Sequence, residues 1–186
     1  MTALTPANQL TLVRMLLIPW FVILVVYGHL GWALFVFTTA GITDALDGLI
    51  ARRSGQYSSL GAWLDPMADK LLLVTTFVVL TLPGLHLSNR LPVWLTILII
   101  SRDVVIVMTV AIVNLAIGRR TFKPSMYGKI ATATYILTAV FAMLFNYLGY
   151  HSWFVDLCVW ASLAITLISA FHYIWHARRI IESPGT

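Results

Sequence analysis

Four aspartates carry the chemistry to be explained. Asp44 and Asp47 stand three residues apart in "TDALDGLIAR", and Asp65 and Asp69 stand four apart in "LGAWLDPMADK". The chain has only seven acidic residues, so most of its negative charge lies in two short stretches. Residues three or four apart on a helix share one face, with Cβ atoms roughly 5–6 Å apart. A short loop separates the stretches, so their helices are expected to be antiparallel neighbours whose acidic faces meet. Each carboxylate within an apolar helix costs about 2.5–3.5 kcal/mol on insertion scales, so four together demand cations. Arg52, Arg53 and Lys70 are too few and too terminal to supply them. Oxygen-only donors select hard ions, Mg²⁺ first, with Mn²⁺ or Ca²⁺ as substitutes. Two such ions about 3.5–4 Å apart would clamp a transferring phosphoryl group. A lone Asp near a helix end has a bland explanation, as a hydrated bridge between helices. Four at helical spacing fit that explanation poorly.

The elements holding these acids must be membrane helices. The 186 residues are 60% hydrophobic and 10% charged, with mean hydropathy +0.89. A soluble domain carries about 25% charged residues. A bilayer core of about 30 Å takes roughly 20 apolar residues per helix. The expected fold is therefore an all-α integral membrane protein, a single domain over residues 1–186 with six transmembrane helices. Apolar runs and their breakers place the spans at 10–27, 32–53, 60–82, 92–117, 127–147 and 153–177. Residues 2–9 are expected to form a short interfacial segment before the first span. That first span has no small-residue cleavage site after it and is expected to be retained.

Charge sets the orientation. Arg14, Arg52, Arg53, Arg119, Arg120, Lys123, Lys129, Arg178 and Arg179 fall on one side of a six-span arrangement, and Arg90 stands nearly alone on the other. By the positive-inside rule both termini and the acidic motifs face the cytoplasm, across what is expected to be a bacterial inner membrane. The net charge of +5 is spent at span ends, so no nucleic-acid partner is expected. A single cysteine, Cys158, excludes an intramolecular disulfide and a cysteine-based metal cluster. Gly48 and Gly61 lie beside the acids, where a missing side chain admits a bulky ligand or a packed helix. Pro66 releases a backbone carbonyl early in the third span.

The motif Asp44-x-x-Asp47-Gly48-x-x-Ala51-Arg52, eight residues, then Gly61-x-x-x-Asp65-x-x-x-Asp69 resembles the complete signature of the CDP-alcohol phosphotransferase family. The resemblance implies transfer of a phosphatidyl group from CDP-diacylglycerol to an alcohol, with release of CMP. It implies that Asp44, Asp47, Asp65 and Asp69 hold two divalent ions, Mg²⁺ or Mn²⁺, on the diphosphate. It makes Asp69 the general base for the acceptor hydroxyl, and places Asp44, Gly48, Ala51, Arg52 and Gly61 at the cytidine diphosphate. A homodimer is expected on the same ground. No nucleophilic Ser, Cys or His stands beside the acids, so direct in-line attack is expected.

The acceptor is less sharply written. "NQLTLVR", "LGAWLDPMADK", "SRD" and "KPS" followed by Lys129 resemble the cardiolipin-synthase branch, whose acceptor is phosphatidylglycerol. The rival branch, phosphatidylglycerophosphate synthase, takes glycerol 3-phosphate and usually has Arg-Glu where this chain has Arg102-Asp103. Inositol- or serine-type acceptors remain a minor alternative. Both leading acceptors carry a phosphate, so Arg102, Lys123 and Lys129 are candidate acceptor-binding residues. Arg119 and Arg120 read as topological anchors, and so does Arg14, with acceptor contact as the lesser alternative for all three. Arg102 and Asp103, being adjacent, are expected to point to different partners. His172 and His176 have metal-pair spacing but no third ligand, Asp156 suits the start of the sixth span, and the many Trp and Tyr near span ends read as aromatic belts. A reading of another class, a cation transporter using the acids as an ion site, explains the carboxylates but not Arg52 and the two glycines at their spacing.

Overall fold

The computed structural model describes residues 6–54, 61–117 and 126–182, and every regular element among them is an α-helix. In chain order these are α1 (Pro6–Val26), α2 (Leu30–Ser54), α3 (Gly61–Thr81), α4 (Val93–Ile117), α5 (Met126–Tyr147) and α6 (Trp153–Glu182). Each expected span falls on one of them.

Local chemistry explains the boundaries. Proline at the first helical position of α1 forfeits only an N–H that would have had no helical partner. Helix α1 is continuous from Pro6, so residues 6–9 belong to the same helix as the first expected span. At its far end Gly28 takes φ +78°, a conformation that a Cβ disfavours. Gly28 N–H then donates to Val25 O at 3.0 Å and His29 N–H to Leu24 O at 2.8 Å, closing the helix with a Schellman pair. Gly149, also at φ +78°, plays the corresponding part after α5. Both glycines lie in the breaker stretches "GHLG" and "LGYHS".

Helix α6 runs to Glu182, several residues beyond the expected end. Among the described residues, two helical stretches, Met126–Tyr147 and Trp153–Tyr173, are long and apolar enough to cross a membrane. Shorter apolar stretches occupy Thr11–Val26 and Leu30–Thr43.

The core is apolar, but so is much of the surface. Large apolar side chains such as Leu16, Trp20, Leu115 and Phe171 are exposed, Leu115 at 87% and Phe171 at 73%. Thr11, Arg14, Thr76, Asn89, Thr96, Thr138, Asn146, Ser162, Thr166 and Ser169 are buried. Exposed apolar area on that scale marks a surface meant for another apolar phase. Polar groups turned inward find hydrogen-bond partners that lipid tails cannot offer.

The chain forms two compact units, Met1–Arg90 with Ala139–His151, and Leu91–Thr138 with Ser152–Thr186. In the first, α1 packs against both α2 and α3, and Phe21 meets Phe37 with ring centroids 6.1 Å apart. An amide clamp ties the segment after α3 to the end of α5. The backbone N–H of Asn89 donates to Asn146 Oδ1 at 2.6 Å, and Asn146 Nδ2 donates to Asn89 O at 3.2 Å. Asn89 Nδ2 also donates to Tyr150 O at 2.8 Å.

In the second unit α4 packs against α6. Thr138 shares a hydroxyl–hydroxyl bond with Ser162 at 2.8 Å, and Tyr135 one with Thr166 at 2.6 Å. Ser162, Thr166 and Ser169 follow one another at helical spacing, forming a buried polar stripe on α6.

Candidate functional site

The two halves of the acidic motif sit where helical geometry is regular. Asp44 and Asp47 lie in α2, along with Gly48, Ala51 and Arg52. Gly61, the first residue of α3, is followed by Asp65 and Asp69 one turn apart on that helix. The side chains of Asp44, Asp47, Ala51, Arg52 and Asp65 lie outside the described residues, and those of Asp69 and Arg14 lie within them. Convergence of the four acids, expected from their spacing, therefore concerns side chains beyond the description.

Asp69 has an unexpected partner. Arg14 Nη1 donates to Asp69 Oδ1 at 2.6 Å, joining α1 to α3 across 55 positions of sequence. The Arg14 side chain is only 3% exposed, whereas that of Asp69 is 45% exposed. This corrects the reading of Arg14 as an anchor. An anchoring arginine extends its head toward water along a flexible stem, but this guanidinium is turned into the protein and spent on a carboxylate. Thr11, Arg14, Phe21 and Val25 are the buried residues of α1 among those whose side chains are described, a single stripe at helical spacing on a helix that packs against α2 and α3. Sequence reading missed this role because α1 is apolar on all sides, which leaves its inward face unmarked. The available signal was the pair Thr11 and Arg14, two polar residues one turn apart in an otherwise oily helix.

Of the candidate acceptor residues, Arg102 is the one whose contacts can be described in detail. Arg102, in α4, donates through Nη1 to Asp103 Oδ1 at 2.7 Å and through Nη2 to Ser169 Oγ at 2.8 Å. Arg102 and Asp103 thus pair with each other instead of diverging: a long guanidinium stem can fold back across one helical position where two short side chains cannot. The Nε atom of Arg102 and the hydroxyl of Tyr173 are buried without a hydrogen-bond partner among the described residues. Lys129 lies exposed in the first turn of α5, and Lys123 lies outside the described residues. Asp156 occupies the first turn of α6 as expected, where a negative charge complements the helix dipole. His172 lies against the Tyr127 ring, with centroids 4.6 Å apart and planes tilted by 49°.

The donor set of the motif is carboxylate oxygen throughout, which suits hard divalent ions. Among the residues whose side chains are described, no three of His, Cys, Asp or Glu converge on one point. Asp69 is the motif acid that can be placed in detail. It is accessible to a ligand on one side and held by a buried cation on the other.

A helical, lipid-suited chain with paired acids on consecutive helices defines a class of membrane transferase. The sequence model of the CDP-alcohol phosphatidyltransferase family matches residues 4–175, and the chain belongs to that family. Its exposed apolar side chains and its two helices long and apolar enough to cross a membrane, among the described residues, are in keeping with that family. It is 37% identical over 130 residues to a protein of Mycobacterium tuberculosis named probable phosphatidylglycerophosphate synthase, covering 66% of this chain and 57% of that one. It is 36% identical over 138 residues to cardiolipin synthase (CMP-forming) of Streptomyces coelicolor, covering 69% and 60%. With cardiolipin synthase (CMP-forming) of Homo sapiens it shares 33% identity over 198 aligned positions, covering 96% and 63%. The chain thus spans about three fifths of the length of these relatives.

Proposed function

We propose that this protein transfers the phosphatidyl group of CDP-diacylglycerol to the hydroxyl of phosphatidylglycerol, forming cardiolipin and releasing CMP. The observation that carries the reading is the unbroken motif from Asp44 to Asp69, placed on consecutive helices of a chain matched almost end to end by the family model. The acceptor oxygen attacks the phosphorus that bears the diacylglycerol ester. A new P–O bond forms there while the bond to the bridging oxygen breaks, and CMP departs with that oxygen.

In this reading Asp69 takes the proton of the attacking hydroxyl. Asp44, Asp47, Asp65 and Asp69 would hold two divalent ions, Mg²⁺ or Mn²⁺. Bound ions would neutralise the diphosphate and stabilise the leaving group. Arg52 supplies a fixed positive charge toward the nucleotide, and Gly48, Ala51 and Gly61 leave room for it to approach the helices. Arg102, Lys123 and Lys129 are assigned to the phosphate of the acceptor. The reading includes six transmembrane helices with a cytoplasmic site, which lets the nucleotide arrive from water and the acyl tails from lipid. It also includes a homodimer.

A second reading is favoured by one comparison. The similarity to the M. tuberculosis protein supports glycerol 3-phosphate as acceptor, which would yield phosphatidylglycerophosphate. A direct assay separates the two. Purified protein is given CDP-diacylglycerol and Mn²⁺ or Mg²⁺, with phosphatidylglycerol or glycerol 3-phosphate, and the lipid product is identified by mass. Cardiolipin is expected, with CMP released in equal amount, and chelation of the metal is expected to stop both. Phosphatidylglycerophosphate as the sole product would select the second reading. Cation flux in liposomes without any CMP would overturn transfer altogether.

A further inference from the structure

Arg14 has a buried charge that no part of the reaction so far uses. A buried, singly placed arginine is costly within apolar surroundings and persists only where a partner compensates it. One oxygen of Asp69, the acid assigned the acceptor proton, is such a partner. The asymmetry of exposure is informative. Here the cation is enclosed while the acid is partly exposed, so the carboxylate is held from inside and keeps a side open to a ligand.

The donor arrives from α1, a helix that carries none of the motif residues but packs against both helices that do. A guanidinium on Oδ1 fixes the rotation of the carboxylate about its Cβ–Cγ bond. The whole acid group is then presented in one direction before any ligand binds. Preorganisation of that kind counts heavily in group transfer, where about 1 Å of misplacement costs on the order of 100-fold in rate.

We propose that Arg14 is a positioning residue of the transfer site, holding the Asp69 carboxylate from α1 in the orientation that receives the acceptor proton. This rests on the assignment of Asp69 made above. Arg14 itself touches no reacting atom. Its removal is therefore expected to lower kcat while leaving the KM for CDP-diacylglycerol and for the acceptor nearly unchanged.

The test uses Arg14→Gln and Arg14→Lys in the full chain, purified in detergent. Arg14→Gln is expected to lose about 100-fold in kcat with both KM values within about threefold of the parent. Arg14→Lys, which keeps the charge and one donor, is expected to recover about tenfold of that loss, an order-of-magnitude expectation for a charge-assisted bond regained without the fork.

A second readout needs neither metal nor substrate. Thermal unfolding of Arg14→Gln, Asp69→Asn and the double variant is expected to show coupling, with the double variant no less stable than the weaker single one. Unchanged kcat in a folded Arg14→Gln protein overturns the proposal. Strictly additive unfolding shifts overturn it as well, by showing that the two side chains do not act on each other. If the parent protein releases no CMP from CDP-diacylglycerol, the transfer reading fails and this proposal falls with it. An active parent with an equally active Arg14→Gln variant removes only the role of Arg14.

Discussion

Asp69 is the residue on which sequence and structure meet most closely. Its spacing from Asp65 places it one helical turn further along α3, and its side chain is reachable from outside while clasped by Arg14. Replacing it with Asn keeps an oxygen of the same shape for the guanidinium but removes the basic lone pair and the charge. A general base contributes typically 10²–10⁴-fold, so Asp69→Asn is expected to lower kcat by at least about 100-fold with helical content unchanged by circular dichroism. Turnover near the parent rate in a folded Asp69→Asn protein would strip Asp69 of its role. The types and spacing of the motif acids were legible because a helix converts sequence separation directly into geometry. The Arg14–Asp69 contact was not, because 55 residues separate the partners and only the packing of α1 on α3 joins them.

At the scale of elements, the ends of the helices follow from local chemistry. Gly28 and Gly149 stop α1 and α5 because each adopts a positive φ that most other residues resist. The segment between α3 and α4 depends instead on a distant side chain. Asn146, in the last turn of α5, accepts from the backbone N–H of Asn89 and donates back to its carbonyl. Both residues are buried, so Asn146→Ala leaves a backbone N–H and C=O without that compensation. A buried group stranded in this way costs about 1–3 kcal/mol, and a lowered melting temperature in detergent, with motif-dependent activity retained at low temperature, is the expected result. A melting temperature equal to the parent's would show that the clamp contributes nothing. The sequence did not announce the clamp, since "LSNR" and "FNY" look like ordinary span-end polar residues.

At the scale of the whole molecule, the distribution of polar and apolar side chains decides the solvent. Many large apolar residues face outward while a set of Thr, Ser and Asn is buried among the apolar core, which fits lipid around much of the chain. The basic residues cluster at the ends of helices that the positive-inside rule would put in the cytoplasm. A green fluorescent protein fused after Thr186 is therefore expected to fluoresce in bacterial cells, and alkaline phosphatase fused at the same point to remain inactive. An active phosphatase fusion would reverse the orientation and move the acidic motifs to the opposite side.

The amino-acid sequence alone determined the helical class, the near-complete set of helix boundaries and the family. Each of these rests on short-range information: runs of apolar residues, breakers between them, and acids at fixed helical intervals. Which face of each helix turns inward was decided only by tertiary structure. A helix that is apolar on every side can be rotated about its axis with little change in its fit to lipid, so its own residues do not choose. The choice falls to contacts between helices, and in α1 that choice buries Arg14 against Asp69.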